Sequence, residues 1–178
     1  MKMTEPAAGL QDGPGPPIVL DTNCILAGFQ FDNTKRYYTV PEAFEEIRRG
    51  NLKAALDGLM ERGVLVVKAP STEAVEAVCT AALGTGDWNR LSNADRALVA
   101  LARELGGVLV TDDYSMQNVA RVLGVLYRPF GKAPIRETLA WTYKCKGCAR
   151  TFEKKPKDCP VCGSEVVQKR KKMADRRG

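Results

Sequence analysis

Histidine is absent from the 178 residues of this chain. It is the usual general base near neutral pH and the usual nitrogen ligand of zinc. Its absence excludes a Ser-His-Asp hydrolase, a metalloprotease with an HExxH motif and any histidine-based ribonuclease. Catalysis by this chain must therefore depend on carboxylates, on thiolates or on a bound metal.

Long apolar runs are also missing. No uninterrupted apolar stretch is long enough to span a bilayer, and the residues after Met1 contain no apolar segment of signal-peptide length. We therefore expect a cytoplasmic protein. With 44% hydrophobic residues, the chain is long enough for one well-buried domain and a small additional module.

Four of the six cysteines form two C-x2-C pairs near the C-terminus. Cys145 and Cys148 are followed, after ten residues, by Cys159 and Cys162, which is the double-knuckle spacing of a zinc ribbon. Four thiolates favour a structural Zn²⁺ in a closed tetrahedral site. A rubredoxin-like iron site with an electron-transfer role is the alternative, because Cys-Pro-x-Cys-Gly occurs there too.

The other two cysteines, Cys24 and Cys79, lie in apolar helical stretches. Free cysteine behaves as a small hydrophobic residue and is among the most buried residue types. We expect both to pack in the core.

Charge is distributed unevenly along the chain, whose net charge is +6. Residues 141–178 carry 12 Lys and Arg against 4 Asp and Glu, whereas residues 1–140 carry a small acidic excess. Cations and aromatics alternate around the cysteines, and such a surface can hold phosphates while rings stack on bases. A solvated basic tail, with Tyr143 and Phe152 filling a small ribbon core, is the alternative interpretation.

Apolar segments with strand and helix patterns alternate in the first part of the chain. Short β-prone runs begin at residues 18, 64, 108 and 125, and helical patterns follow them, the clearest running from Ser92 to Leu105. This alternation predicts an α/β domain with a mostly parallel sheet flanked by helices. We divide the chain into a disordered lead, the α/β domain, a linker, a zinc ribbon and a basic tail, with bounds 1–16, 17–131, 132–139, 140–168 and 169–178.

Acidic residues follow the predicted strands. Asp21 and the pair Asp112 and Asp113 each come directly after a strand, where open parallel sheets bind their ligands. Asp95 lies in the first turn of a helix, and helical phase places Glu46 nearer the apolar face than Glu42 or Glu45. Each acid also has a structural alternative, since Asp95 with Ser92 resembles a capping box and the other aspartates could end strands or cap helices.

Clustered carboxylates raise one another's pKa unless a cation neutralises them. A hard divalent ion such as Mg²⁺ or Mn²⁺ prefers oxygen ligands, activates water and stabilises charge on a phosphodiester. Metal-dependent phosphodiester chemistry would also explain how the chain works without histidine.

Four segments together resemble the motifs of PIN-domain nucleases. The fourth segment reads Thr-Asp-Asp-Tyr-Ser-Met-Gln-Asn over residues 111–118, and it is quite specific when a zinc ribbon follows. The other three are Leu20-Asp21-Thr22-Asn23, Thr39-x6-Glu46-Ile47 and Leu91-Ser92-x2-Asp95. The resemblance covers residues 18–168 and is closest to ribosome-maturation endonucleases of that family.

The resemblance implies that Asp21, Glu46, Asp95 and Asp113 bind a catalytic Mg²⁺ or Mn²⁺, with Asp112 adjacent as a further catalytic candidate. It also implies endonucleolytic cleavage of single-stranded RNA at the mature 3′ end of precursor small-subunit rRNA, with the immature small ribosomal subunit as partner. A toxin-type PIN ribonuclease with another RNA target and a non-catalytic RNA-binding assembly factor stay open as alternatives.

Overall fold

The computed structural model describes residues 15–48, 52–131 and 139–172. Most of the predicted lead, nearly all of the predicted linker and the end of the predicted tail lie outside the described residues, at 1–14, 132–138 and 173–178.

Five three-residue strands form a parallel sheet in the N-terminal part of the chain. They are β1 (Ile18–Leu20), β2 (Tyr37–Thr39), β3 (Leu65–Val67), β4 (Val108–Val110) and β5 (Leu126–Arg128). Their spatial order is β3-β2-β1-β4-β5, and every neighbouring pair is parallel. The predicted α/β class with a parallel sheet flanked by helices is confirmed.

Six α-helices and one 3-10 helix are described between these strands. The helices are α1 (Thr22–Leu26), α2 (Pro41–Arg48), α3 (Lys53–Glu61), α4 (Thr72–Thr85), the 3-10 helix Trp88–Arg90, α5 (Asn93–Glu104) and α6 (Tyr114–Val122). Their starts agree with the capping signals, since Ser71, Ser92 and Asp113 each accept a backbone N–H of the first turn.

Strand β2 is absent from the sequence-based prediction. It consists of Tyr37, Tyr38 and Thr39, all of them buried, between the charged Lys35-Arg36 and the helix that begins at Pro41. Aromatic residues and threonine favour strands, but a run of three residues buried on both faces has no alternation by which to recognise it.

Successive strand residues point into two separate cores. Val19 and Leu109 pack with α4, α5 and α6 on one face of the sheet. Leu20 and Val110 pack with residues of α1, α2 and α3 on the other face. A parallel sheet covered on both faces requires such apolar residues in both directions, which explains why its strands read as continuous apolar runs.

The C-terminal part forms a three-stranded antiparallel sheet in the order β7-β6-β8. Its strands are β6 (Leu139–Cys145), β7 (Thr151–Phe152) and β8 (Val166–Lys172). Residue 139, predicted as linker, and residues 169–172, predicted as tail, thus belong to paired strands. In the described part of the chain, no helix combines the length and the hydropathy that a membrane span needs.

The parallel sheet has one topological switch point. From β1 the chain continues to β2 and β3 on one side, whereas β4 and β5 are added on the other side. Ligands of open α/β sheets bind in the crevice beyond the carboxyl ends of the strands at such a point. The residues that follow β1 and β4 are therefore the first place to look for a site.

Candidate active site at the switch point

Asp21 directly follows β1 and is almost fully buried. Its Oδ1 accepts the backbone N–H of Asn23 at 3.3 Å, which makes Asp21 the N-cap of α1, and its Oδ2 accepts the hydroxyl of Thr111 at 2.7 Å. Burial raises the pKa of Asp21 above its ordinary value; these two hydrogen bonds oppose the rise, and the charges of Asp95 and Asp113 add to it.

Thr111 connects the ends of the two central strands. Besides donating to Asp21, its hydroxyl oxygen accepts the backbone N–H of Asp113 at 3.0 Å, and the residue is fully buried. Sequence analysis did not assign Thr111 a role. It was named only as the first residue of the motif at residues 111–118, immediately after β4 and before the aspartate pair.

Asp113 is the N-cap of α6 and lies beside the other acids. Its Oδ1 accepts the backbone N–H of Ser115 at 2.6 Å. Burial raises the pKa of Asp113, and the charges of Asp95 and Asp87 contribute to the increase, while hydrogen bonds from the α6 backbone oppose it. The helix terminus thus holds a carboxylate whose charged form is disfavoured.

Asp95 forms the capping box that its spacing suggested. The backbone N–H of Ser92 donates to its Oδ2 at 2.7 Å, and its own N–H donates to the Ser92 hydroxyl at 3.1 Å. Its charge nevertheless acts on both Asp21 and Asp113. Capping and membership of the acidic cluster therefore coexist.

Asp112 has a different position from its neighbour. Its carboxylate accepts the backbone N–H groups of Phe130 at 2.9 Å and Gly131 at 3.0 Å, so it joins the end of β4 to the segment after β5. Asp113, by contrast, contacts Thr111 through its backbone. Of the adjacent pair, Asp113 is the residue that belongs to the cluster with Asp21 and Asp95.

Glu46 lies on α2 with its side chain exposed, as do Glu42 and Glu45, while Ile47 next to it is fully buried. Helix α2 packs against α1, which Asp21 caps, and against α5, whose capping box contains Asp95. Within the described residues, no hydrogen bond joins Glu46 to the three aspartates. Its role as a metal ligand stays a prediction.

The three aspartates form a site of concentrated negative charge. Among the described residues, the cysteines are the only group of three or more candidate ligands whose atoms lie within 4.8 Å of one another. The carboxylate oxygens are more widely spread. Mg²⁺ usually keeps several waters and uses one or two carboxylates directly, so this donor set fits a hydrated hard cation better than a closed protein cage.

Asp87 is a second buried acid that sequence analysis missed. Its side chain accepts the Asn118 amide of α6 and the Trp141 indole N–H of β6, each at 2.7 Å. The residue lies in a Gly-rich loop and matches none of the motifs. Its partners are 31 and 54 residues away in sequence, so no local pattern could identify it.

The four paired cysteines converge as their spacing predicts. The sulfurs of Cys145 and Cys162 are 3.4 Å apart and those of Cys148 and Cys159 are 3.5 Å apart. These distances are too long for disulfides, whose sulfurs lie about 2.05 Å apart. They approach the edge of a ZnS₄ tetrahedron, which is about 3.8 Å for Zn–S bonds of about 2.3 Å.

Hydrogen bonds act on two of these sulfurs, those of Cys145 and Cys162. Backbone N–H groups of Gly147 and Cys148 donate to the Cys145 sulfur at 3.3 and 3.4 Å. Hydrogen bonds from Ser164 lower the pKa of Cys162 to about 6, which favours the thiolate that a metal binds. A Cβ at Gly147 would lie too close to the Ser164 hydroxyl oxygen, so a side chain there would force Ser164 to move.

The remaining cysteines and ribbon aromatics have structural positions. Cys24 is buried, donates to the Val110 carbonyl, and burial raises its pKa to about 12, whereas Cys79 is only partly buried. Tyr143 and Phe152 pack against the buried cysteines of the ribbon. The two rings thus contribute to the ribbon core, as the alternative interpretation expected.

Known proteins resemble this chain over most of its length. Residues 18–105 match a family model described as the PIN domain of ribonuclease. Endoribonuclease Nob1 of Pyrococcus abyssi is 39% identical over 151 residues, which cover 84% of this chain and 91% of that protein. Endoribonuclease Nob1 of Methanothermobacter thermautotrophicus is 33% identical over 158 residues, with coverages of 85% and 92%.

A relative with a different name matches a shorter region. Ribonuclease VapC1 of Thermoplasma acidophilum is 37% identical over 131 residues, which cover 72% of this chain and 66% of that protein. The Nob1 relatives match over most of both lengths, whereas this match leaves a third of the other protein uncovered. From the family model and the extent of these matches, the chain belongs to the PIN-domain family that includes the Nob1 endoribonucleases.

Proposed function

We propose that this protein is a divalent-metal-dependent endoribonuclease that cuts single-stranded RNA at the mature 3′ end of precursor small-subunit rRNA. The name endoribonuclease Nob1, carried by relatives that match most of the chain, supports the class of reaction. On this proposal the protein acts in the cytoplasm on the immature small ribosomal subunit.

The observation that carries the proposal is the group of three aspartates at the switch point. Asp21, Asp95 and Asp113 act on one another electrostatically, and the pKa values of Asp21 and Asp113 are raised. A cluster whose charged form is disfavoured gains stability from a cation, which also attracts phosphate.

Hydrogen bonds hold the carboxylate of each aspartate in place. Asp21 is fixed by Thr111 and by the first turn of α1, Asp95 by its capping box, and Asp113 by the first turn of α6. Glu46, on the helix that packs against α1 and α5, is the proposed fourth ligand. When bound there, Mg²⁺ or Mn²⁺ would supply activation of the attacking water and stabilisation of charge on the phosphodiester.

The zinc ribbon has a separate role in this proposal. Its four cysteines would hold a structural Zn²⁺, and its surface carries exposed cations, among them Lys144, Lys146 and Lys154. Such cations provide the sequence-independent part of RNA affinity. We assign the ribbon to RNA binding and the acids to cleavage.

A VapC-type ribonuclease with another RNA target is the second candidate, because the Thermoplasma acidophilum relative carries that name. The two functions differ in substrate and share the same acids. RNA choice, and not metal dependence, therefore distinguishes them.

The test is cleavage of a precursor RNA that spans the mature 3′ end. Zinc-loaded protein, freed of other ions on a chelating resin, is incubated with Mn²⁺, with Mg²⁺ or with neither, since EDTA would also remove zinc. The variants are Asp21→Asn and, as a matched control, Asp32→Asn, whose acid is exposed and binds Thr34 and Lys35.

We expect one metal-dependent cut that Asp21→Asn abolishes and Asp32→Asn leaves intact. Equal inertness of the wild type and Asp21→Asn in every metal, with RNA binding retained, would leave a non-catalytic assembly factor. Preferential cutting of unrelated RNAs would favour the VapC-type function.

A further inference from the structure

Asp87 is a buried carboxylate that takes no part in the proposed chemistry. Only 2% of its surface is exposed, and it follows the C-terminus of α4. Its Oδ1 accepts the Trp141 indole N–H and its Oδ2 accepts the Asn118 amide, both at 2.7 Å. One carboxylate thus contacts the ribbon with one oxygen and the nuclease domain with the other.

The residues around Trp141 form a specific binding surface for the ribbon. The guanidinium carbon of Arg90 lies 3.8 Å from the centre of the indole ring, and the same guanidinium donates to the Gln168 side chain of β8 at 3.3 Å. Gly86 adopts the left-handed conformation at φ 77° and closes α4; a Cβ there would lie 3.1 Å from the Trp141 Cβ. The α4 terminus and the 3-10 helix therefore bind both long strands of the ribbon.

The other end of this contact reaches the helix that carries Asp113. Asn118 is 2% exposed and lies on α6, little more than one turn after the N-cap Asp113. The charge of Asp87 also contributes to the raised pKa of Asp113. Asp87 is therefore near the acidic cluster in both structure and electrostatics.

Physical chemistry makes this contact selective for one arrangement of the two domains. A buried carboxylate is costly unless hydrogen-bonded. If the ribbon moved away, Asp87 would lose the indole N–H, and Arg90 would lose both its aromatic and its amide partner. Apolar contacts alone would let the ribbon shift along the nuclease domain, whereas hydrogen bonds require one distance and direction.

We propose that Asp87 is a positioning residue that fixes the zinc ribbon on the nuclease domain through Trp141 and fixes α6 through Asn118. RNA bound by the ribbon then always presents the same phosphodiester bond to the acids. This last step rests on the proposed function, whereas the docking itself does not.

The test compares the only two tryptophans of the chain. Trp141→Phe keeps an aromatic ring under Arg90 but removes the N–H that Asp87 accepts. Trp88→Phe is the matched control, because Trp88 makes a similar contact with Arg96, whose guanidinium carbon lies 4.2 Å from its ring centre. Both variants are studied as zinc-loaded full-length protein.

The first measurement is domain orientation by ¹⁵N relaxation and residual dipolar couplings. We expect one common alignment and tumbling tensor for both domains in the wild type and in Trp88→Phe, and two tensors in Trp141→Phe. Independent tumbling in the wild type, or one tensor in Trp141→Phe, would overturn the proposal.

The second measurement is cleavage of the precursor RNA. In Trp141→Phe we expect KM to rise several-fold with a smaller change in kcat, and cuts to spread over neighbouring positions. Unchanged KM and cut position would overturn the RNA-positioning step. A wild type that cuts no RNA in any metal would count against the proposed function, whereas the NMR result would still decide the docking.

A rescue experiment separates positioning from general stability. Asp87→Asn loses the charge and turns one acceptor into a donor facing the Asn118 amide. Combining it with Asn118→Asp restores a donor–acceptor pair between the two positions and leaves an oxygen for the indole N–H. Recovery of the single tensor in the double variant supports the proposal, and failure to recover it in a folded double variant contradicts it.

Discussion

Replacing Asp113 by asparagine is expected to stabilise the protein in the absence of Mg²⁺ or Mn²⁺ and to abolish cleavage. Asparagine is as good an N-cap as aspartate, so the bond from the Ser115 N–H is kept. The substitution removes a charge that burial and the neighbouring acids disfavour. It therefore keeps the helix start and relieves the repulsion.

The sign of the effect follows from the direction of the pKa shift. The pKa of Asp113 is raised in the folded protein, so stability is lost as the pH rises from the ordinary pKa of aspartate to the raised folded value, and the loss is complete above it. Each raised pKa unit corresponds to about 1.4 kcal/mol at neutral pH. Because Asp113 is only partly buried, we expect a net gain of roughly 0.5–2 kcal/mol, the usual range for one stabilising substitution.

The assay is thermal unfolding between pH 3 and pH 8, followed by helix signal, starting from zinc-loaded protein. Wild type and variant are compared at each pH, because zinc leaves the thiolates of both in acid. For a domain of this size, 1 kcal/mol corresponds to about 2–4 °C in Tm. The advantage of the variant should disappear below about pH 3.9, the ordinary pKa of aspartate, where the wild-type acid is also neutral. It should also shrink or reverse when Mn²⁺ is added, because only the intact site gains binding energy, about 2.7 kcal/mol at 100 times Kd.

Asp32→Asn provides the control of opposite sign. Hydrogen bonds from Thr34 lower the pKa of Asp32, so loss of its charge should not stabilise the protein at neutral pH. Two results would contradict the argument: a destabilising effect of Asp113→Asn at neutral pH, or a gain in stability that is the same at pH 3 and pH 8. Either would mean that the charge of Asp113 does not destabilise the folded protein.

Three further substitutions test other parts of the structure. Thr111→Val keeps the buried shape but removes the hydroxyl between Asp21 and Asp113; we expect a loss of about 1–3 kcal/mol in chemical denaturation and weaker cleavage, and unchanged cleavage would remove Thr111 from the site. Ser92→Ala removes the α5 N-cap and should cost about 0.5–2 kcal/mol by the same measurement, whereas no loss would contradict the capping box. Cys145→Ser should release the metal, measured by elemental analysis, and collapse the ribbon resonances in NMR spectra while those of the nuclease domain persist; full metal retention would contradict four-cysteine ligation.

Local signals in the sequence were sufficient for most of the fold. The helix that begins after Ser92 and the strand at Val108–Val110 have clear caps and apolar patterns, and both lie where they were predicted. Strand β2 was missed because three residues buried on both faces carry no period. The sheet order followed only when β2 was placed between β1 and β3.

The site was predictable only where chemistry coincides with an element boundary. Asp21 and the pair Asp112 and Asp113 directly follow strands, so position alone named them as candidates, whereas the choice of Asp113 came from the family resemblance. Thr111 belongs to a motif, but its bond to Asp21 joins residues 90 positions apart. Asp87 lies in a loop outside the motifs, and its partners are also distant in sequence. Trp141 is one of the aromatics near the cysteines for which the sequence suggested stacking on bases, but its indole contacts Asp87 and Arg90.

Capping and catalysis were weighed as alternatives for the acids, but a capping carboxylate keeps acceptor positions that a metal could use. A carboxylate offers about four acceptor positions, and a cap uses one of them. Asp95 gives one oxygen to the Ser92 N–H and Asp113 gives one to the Ser115 N–H, which fixes the side-chain rotamer without exhausting its acceptors. Three helix starts that meet at one switch point therefore bring three preoriented carboxylates together. Loss of such a cap should change the metal affinity as well as the stability, because the same hydrogen bond fixes the direction of the remaining lone pairs.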